Sequence, residues 1–397
     1  MTDGAIFRAL GAFGSRVARR GALLAAWVGG MLAGSIGPPA TAQVVSADHH
    51  LRAQPQNLSW GWIPMDKPPV LTVESGDTVR IDTISHHGST QDEDPVSFLG
   101  GFGVQPDEIL QDVREFWASR PGRPRDGRNG AHVLTGPIAV AGAEAGDMLE
   151  VQILEVSART PYGFNSADAR SGALGDQYPG ARDGDRGADI ADGGRALIRT
   201  AVANGREYAL LGDSVRVPLA PFMGIMAVAP LSPVVGQPGV TVAGVQGSRP
   251  PGPYGGNLDI KELRPGATLF LPVFRAGALF YAGDPHGVQG DGEVSGTALE
   301  QSATGVFRFI LHKDTPLSGP RAETATHYLS IGIDVDLDRA LRNALLAAID
   351  FLVEEKGLTP REAFTLASLA VDFAVSEAVN QTQVVSAFIP KGSFVNE

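Results

Sequence analysis

Asp284, Asp291 and Glu293 share the twelve residues Ala282 to Glu293 with His286, Gln289, four glycines and Pro285. Glycine opens backbone angles closed to other residues and proline fixes one dihedral, so polar side chains on such a segment can be made to converge. An imidazole with carboxylates and no thiolate suits Zn²⁺ or another divalent ion with nitrogen and oxygen ligands, leaving a position open to water. The same composition also makes plain acidic turns, and Asp-x-His arises by chance.

Other candidates lie far off in sequence. Asp259, in Gly255-Gly256-Asn257-Leu258-Asp259, is a further carboxylate ligand or a turn cap. His132 precedes Leu134-Thr135-Gly136-Pro137, where a lone histidine is more often hydrogen-bonded structure than ligand. Of the pair His86-His87 only one can face a shared site, because neighbours on a strand point to opposite faces. His49-His50 reads as surface.

The elements around the glycine-rich segment are strands. Leu269 to Phe274 and Leu279 to Tyr281 lead in and Val306 to Ile310 follows, which makes residues 282–293 a loop between strands. In 397 residues with 43% hydrophobic content, 50 glycines and 28 prolines point to a turn-dense, mainly β architecture with few helices. Three stretches share one grammar of strand, tight turn, strand: 70–82 through Glu74-Ser75-Gly76-Asp77, 138–154 through Gly146-Asp147, and 258–271 through Pro265-Gly266. The polar stretch 159–195 reads as a long loop, a lid or a solvated insertion. A second Gly/Pro-rich break at 236–256 divides the chain into a β-rich part at 43–235 and another at 236–397. The C-terminus is helical: Leu341, Leu345, Ile349 and Leu352 mark an amphipathic helix over 337–355 stopped by Gly357. Thr359-Pro360-Arg361-Glu362 then caps a second helix through about Ala378.

Residues 1–42 differ from the rest. Arg16, Arg19 and Arg20 precede an apolar run from Ala22 to Ile36, and Ala40-Thr41-Ala42 supplies a cleavage site, so we expect export to the periplasm or medium with cleavage after Ala42 and no membrane span afterwards. Removing that leader leaves 28 basic and 43 acidic residues, a formal charge of −15. Nucleic acid is thereby an unsuitable partner, since phosphate affinity needs clustered Lys and Arg. Zero cysteines exclude disulfides, thiolate metal sites and cysteine nucleophiles.

Several separated segments resemble the acetamidase/formamidase family of linear-amide hydrolases: His132-Val133-Leu134-Thr135-Gly136-Pro137, Gly142 to Asp147, Pro221 to Pro230, Gly255 to Asp259, and the acidic loop through Glu300. The pattern G-D-x-H-x-x-Q-G-D-G-E, matched from Gly283 to Glu293, is the most specific of them. The resemblance implies a β-rich composite fold with sandwich, jelly-roll-like and barrel-like parts, metal-assisted amide hydrolysis, and homo-oligomers. The export leader and the long 159–195 stretch depart from the family pattern, so the reaction class carries over further than the substrate.

Amide hydrolysis needs an activated water, a polarised carbonyl and a proton for the leaving nitrogen. A divalent ion, zinc by preference with calcium as the alternative, supplies the first two by lowering the pKa of bound water to about 7 and acting as a Lewis acid. We assign Asp259, Asp284 and His286 as ligands with His132 as a further candidate. Asp284, His286 and Glu293 form the catalytic set, with Glu293 carrying the proton. Gln289 and Asn257 would bind substrate or tie down the loop. Two other readings compete: an exported Ca²⁺-stabilised binding module using Asp284, Asp291 and Glu293, and a cupin-like metal oxygenase, which would want a His-x-His that is missing.

Overall fold

The computed structural model describes residues 45–122, 130–167, 172–174, 194–234 and 245–395, and in it the alternating apolar runs become two large sheets. The leader read at 1–42 lies outside the described residues. The nine-stranded sheet has the spatial order His49–Leu51, Thr78–Asp82, Ala303–His312, Met148–Ala158, Thr268–Pro272, Arg321–Glu323, His327–Asp334, Gln383–Pro390, Asp372–Glu377. The six-stranded sheet runs Gly255–Asn257, Phe222–Val228, Phe280–His286, Val133–Val140, Leu58–Trp60, with Leu71–Val73 lying parallel to Val133–Val140.

Inner faces of both sheets supply one core. Val79, Ile81, Val151, Phe307 and Phe309 come from the larger sheet, and Leu134, Ile138, Ile225 and Phe280 from the smaller. The Phe280 ring meets Phe309 edge-on with centroids 5.0 Å apart, a favoured aromatic geometry. The expected sandwich is therefore present, whereas the barrel-like parts are not. Among the described residues no sheet closes, because the outer strands His49–Leu51 and Asp372–Glu377 do not pair with each other. Strands from either side of the sequence division at 235/236 interleave in both sheets, and Val45–Glu397 forms one unit.

The repeated strand-turn-strand grammar has an unexpected meaning. Leu71–Val73 and Val133–Val140 belong to the smaller sheet, while their successors Thr78–Asp82 and Met148–Ala158 belong to the larger. Gly255–Asn257 and Thr268–Pro272 are related in the same way, although Leu258 to Ile260 is not itself a strand. These turns are corners between sheets, not hairpins. Asp77 and Asp147 build two of them alike: each accepts the backbone N–H of the glutamate three residues earlier, at 2.9 and 2.8 Å, beside a glycine with positive φ.

Three further sequence expectations are corrected. The 159–195 stretch is not all loop, since Tyr162–Ser166 is a strand and Arg195 begins another in a four-stranded sheet with Arg206–Leu211 and Val215–Pro218. Residues 168–171 and 175–193 lie outside the described residues. The helix Leu337–Glu354 buries Ala340, Ala344, Ala348 and Leu352, leaving Leu341 43% exposed. Small residues win that face because the helix lies directly on the sheet: a Cβ on Gly332 would sit 2.1 Å from the Ala340 carbonyl oxygen. The capping box at Thr359 and Glu362 forms, but its helix stops at Ala370, and Asp372–Glu377 continues as an edge strand. Two short helices, Pro95–Gly101 and Gln111–Ser119, were not read from the sequence.

Candidate active site

The strand Phe280–His286 is buried along its whole length between Phe222–Val228 and Val133–Val140. What reads as a loop from residue 282 is therefore strand through His286, because pairing with Val133–Val140 runs to Gly283 and pairing with Phe222–Val228 continues through Pro285 to His286. Its C-terminal end carries Asp284 and His286, two residues apart and hence on one face. Asp259 enters from the turn after Gly255–Asn257, and Glu293 from the segment beyond the strand. Asp259, Asp284 and Glu293 have φ of 49°, 52° and 46°. Such left-handed backbone costs on the order of 1–3 kcal/mol per non-glycine residue and persists where surroundings over-determine it.

Distances define one cluster. His286 Nε2 lies 3.4 Å from Asp284 Oδ2, 3.3 Å from Glu300 Oε1 and 3.9 Å from Glu293 Oε1. His132 Nε2 is 3.7 Å from Asp284 Oδ2, and His86 Nδ1 is 3.8 Å from Asp284 Oδ1 and 3.6 Å from Glu300 Oε2. Ser248 Oγ, 2.9 Å from His132 Nδ1, fixes that ring. Asn380 donates from Nδ2 to Asp259 Oδ2 at 2.6 Å. Gly224, on Phe222–Val228, leaves the room this needs: a Cβ there would be 2.4 Å from Asp259 Oδ1 and 2.9 Å from both Asp284 Oδ2 and His286 Cε1.

Burial sets the protonation pattern. Desolvation raises Asp259 and Glu293 well above the ordinary carboxylate value and raises Glu300 too, and repulsion adds to it, from Glu293 at Asp259, from Glu300 at Glu293 and from Asp284 at all three. Asp284 is the exception: burial acts upward, but His132 and His286 outweigh it and hold the carboxyl well below that range. Desolvation pushes His86 and His132 down to about 4. His286 goes the other way, because Glu300 and Asp284 overcome its burial and hold it above the ordinary histidine value.

The structure brings together Asp259, Asp284, His286, His132 and Glu293. Asn257, 1% exposed, lines the same cavity, and its Oδ1 has no hydrogen-bond partner among the described residues. Gln289 is elsewhere in role: its amide donates to the Asp259 and Ser376 carbonyls at 2.7 and 3.3 Å, tying the segment down. Asp291 is a surface residue paired with Lys261 at 2.5 Å. Of the vicinal histidines, His86 joins the cluster while His87 stacks on Phe164 at 5.4 Å. Sequence reading missed Glu300, Asn380 and Glu377. Glu377 is fully buried, pushed up to about 8 by desolvation, and accepts the Val379 and Asn380 N–H groups. Only their positions after the acidic segment and after a supposed helix could have pointed to them, and neither carries a local pattern.

His86, His132, Asp284, Glu293 and Glu300 of this cluster line a cavity of about 960 Å³ that is open to solvent. Three sets of side chains offer ligand atoms mutually within 4.8 Å: Asp259 with Asp284 and His286, His86 with His132 and Asp284, and His286 with Glu293 and Glu300. Buried Asp259 Oδ1, Asp284 Oδ1, both His286 nitrogens, His86 Nδ1 and Glu300 Oε2 have no hydrogen-bond partner among the described residues. Buried polar atoms are normally satisfied, so this donor set fits a divalent ion held by nitrogen and oxygen.

A formamidase-named protein of Schizosaccharomyces pombe is 30% identical over 277 residues, 60% of this chain and 60% of that one. The chain thus spans three fifths of that relative. The acetamidase of Mycolicibacterium smegmatis is 30% identical over 308 residues, 59% of this chain and 72% of its own length. A crystal structure of an acetamidase from Bacillus halodurans superimposes with a TM-score of 0.66 at 26% identity, covering 87% of this chain and 98% of that one. The acetamidase/formamidase family model matches residues 128–237 and 236–396, the span that contributes His132, Asp259, Asp284, His286 and Glu293, and the chain belongs to that family.

Proposed function

We propose that this protein hydrolyses the carbon–nitrogen bond of a linear carboxamide, giving a carboxylate and ammonia. The observation that carries the reading is the convergence of Asp259, Asp284 and His286 beside Glu293, with Asp284 and Glu293 lining one cavity, in an acetamidase/formamidase-family chain. A divalent ion held by Asp259, Asp284 and His286, with His132 beside Asp284, would supply Lewis acidity at the amide carbonyl and an acidified water. We take zinc as that ion. The three imidazoles in the cluster make it a poorer match to the oxygen-only shell of structural Ca²⁺.

The side chains account for the proton. An amide nitrogen leaves only when protonated, so one group must take a proton from water and return it to nitrogen. Glu293 is in position, 3.9 Å from His286, and its raised pKa makes it a competent acid after it has acted as base. The unpartnered Asn257 Oδ1 accepts a hydrogen bond from the substrate's amide N–H, and Phe222, edge-on to His286 at 5.1 Å, backs the imidazole with apolar surface. We further propose that the chain acts after export, with its leader cleaved after Ala42, and as a homo-oligomer.

The test is ammonia release from a panel of short and aryl-substituted amides with metal supplied, for wild type and Glu293→Gln. We expect turnover by wild type and a loss of about 10²- to 10⁴-fold in the variant. Wild-type inactivity across the panel would sink the hydrolase reading. Full rate in Glu293→Gln would remove the proton role while leaving the reaction class standing.

A further inference from the structure

Two guanidiniums line the cavity that holds the ligand cluster, and the mechanism above uses neither. Arg195 opens the strand Arg195–Ala203, and Arg249 follows the Ser248 that fixes His132. Both are partly buried, and among the described residues neither makes an ion pair or a side-chain hydrogen bond. The placement of Arg249 is tight, since a Cβ on Gly130 would meet Ser248 Oγ at 2.2 Å and the Arg249 backbone nitrogen at 3.2 Å. Neither cation is needed to pair the cluster carboxylates, since Asp284 and Glu300 already face imidazoles; Arg249 acts on the buried Glu377 only through space, with no ion pair among the described residues.

Size points the same way. At roughly 30 Å³ per heavy-atom-sized water, an amide of four heavy atoms fills on the order of 100 Å³. The cavity is about 960 Å³, within the range that encloses much larger ligands. Of the carboxylates among its described lining residues, Asp284, Glu293 and Glu300 belong to the buried cluster, and the other two stand at the rim. Asp92 is fully exposed and lies 3.3 Å from Arg120, and Glu93 is also exposed, so solvent screens both.

We infer that the substrate is an amide whose non-reacting end carries a carboxylate, which Arg195 and Arg249 bind while the amide lies against the Asp284–His286 cluster. This rests on the hydrolase reading. Guanidinium suits the task because its planar fork meets a carboxylate with two parallel hydrogen bonds. Simple amides would then be poor substrates, reaching the cluster but leaving most of the cavity to water.

Near-isosteric pairs test it: succinamate against 4-methylpentanamide, and 4-carbamoylbenzoate against 4-isopropylbenzamide, assayed for wild type, Arg195→Met and Arg249→Met. Wild type should favour the anionic member by at least about tenfold in kcat/KM, through KM, and each methionine variant should move that ratio toward one. Because the ratio is taken within one preparation, a partly misfolded variant lowers both rates and leaves it unchanged. No wild-type preference, or a ratio unaltered in both variants, would overturn the inference. Should wild type hydrolyse nothing, the hydrolase reading fails, and succinamate binding, read as a rise in Tm, decides the anion site separately. A rise abolished by Arg249→Met supports it, and no rise refutes it.

Discussion

Gly224→Ala is the sharpest probe of the cluster, because it adds one methyl group and alters no charged or hydrogen-bonding side chain. Gly224 sits between the register pairs Met223–Pro285 and Ile225–Gly283, facing the strand that carries Asp284. Its φ is not in the left-handed region, so alanine suits the backbone, and the cost is steric alone. The new Cβ would lie 2.4 Å from Asp259 Oδ1 where ordinary contact begins at 3.4 Å, so that oxygen must retreat by about 1 Å, with smaller shifts at Asp284 and His286. Asp259 has nowhere easy to go, being 1% exposed and held by Asn380 at 2.6 Å. Overpacking of this size costs about 1–3 kcal/mol of stability, leaving a folded protein that thermal melting can verify. A displacement of about 1 Å at a reacting centre costs about 10²-fold in rate, and disturbed ligand support costs about 10- to 100-fold in metal affinity. The assays are kcat/KM for ammonia release and zinc retained after dialysis, measured on the same sample. Wild-type values for both, in a variant with a normal melt, would refute the assignment of Asp259, Asp284 and His286 to the reacting centre.

Other outcomes follow from the same geometry. His86→Ala should lower zinc retention and activity by about 10- to 100-fold, whereas His87→Ala, which loses its stack on Phe164 and its 4.3 Å ring contact with His86 but no contact with a cluster carboxylate, should lower Tm and change zinc content far less; equal metal loss in both would contradict the division of the pair. Gly332→Ala should destabilise by about 1–3 kcal/mol or more, since the new methyl meets helix backbone at Ala340 and Ala344; an unchanged denaturation midpoint would refute the close helix–sheet contact. Asp147 is held below its usual range: burial acts upward, but hydrogen bonds from Lys313 and the Asp314 and Glu144 N–H groups outweigh it. Its contribution is therefore present above about pH 4 and lost as pH falls through the depressed folded value, so the Tm gap between wild type and Asp147→Asn should be widest at neutral pH and close on acidification.

How much was legible depended on whether a signal was local. Asp284, His286 and Glu293 lie within ten residues and were readable as chemistry, with Asp259 after its glycine pair and the lone His132 as candidates from their local context. Glu300 and Asn380 were not, because a lone Glu after Leu299 and an Asn in a Ser/Thr/Gln-rich turn look like any surface polar residue. Strand existence was readable at Val79 to Ile81 and Leu269 to Leu271, yet partners were not. Alternation tells which face is buried and says nothing about which sheet the next strand joins, which is how corners came to read as hairpins. The second C-terminal helix ran too long on paper since Val371 to Val375 is apolar enough for either state. Pairing with Gln383–Pro390 decided it as strand.

The corners between sheets bear on when the site comes into being. Asp82 pairs with Thr304, and the cluster collects His86, His132, Asp259, Asp284, His286, Glu300 and Asn380, so no short stretch of chain contains it. Closing contacts across such separations is entropically costly, and topologies dominated by them fold slowly. Ion capture by a half-folded chain is thus disfavoured: His86 and His132 have no Asp284 to meet until the smaller sheet has its central strand, and Asp259 lacks its Asn380 clamp until the last edge strand is laid down. The arrangement of this cluster is a property of the finished sandwich, not of any one segment of the chain.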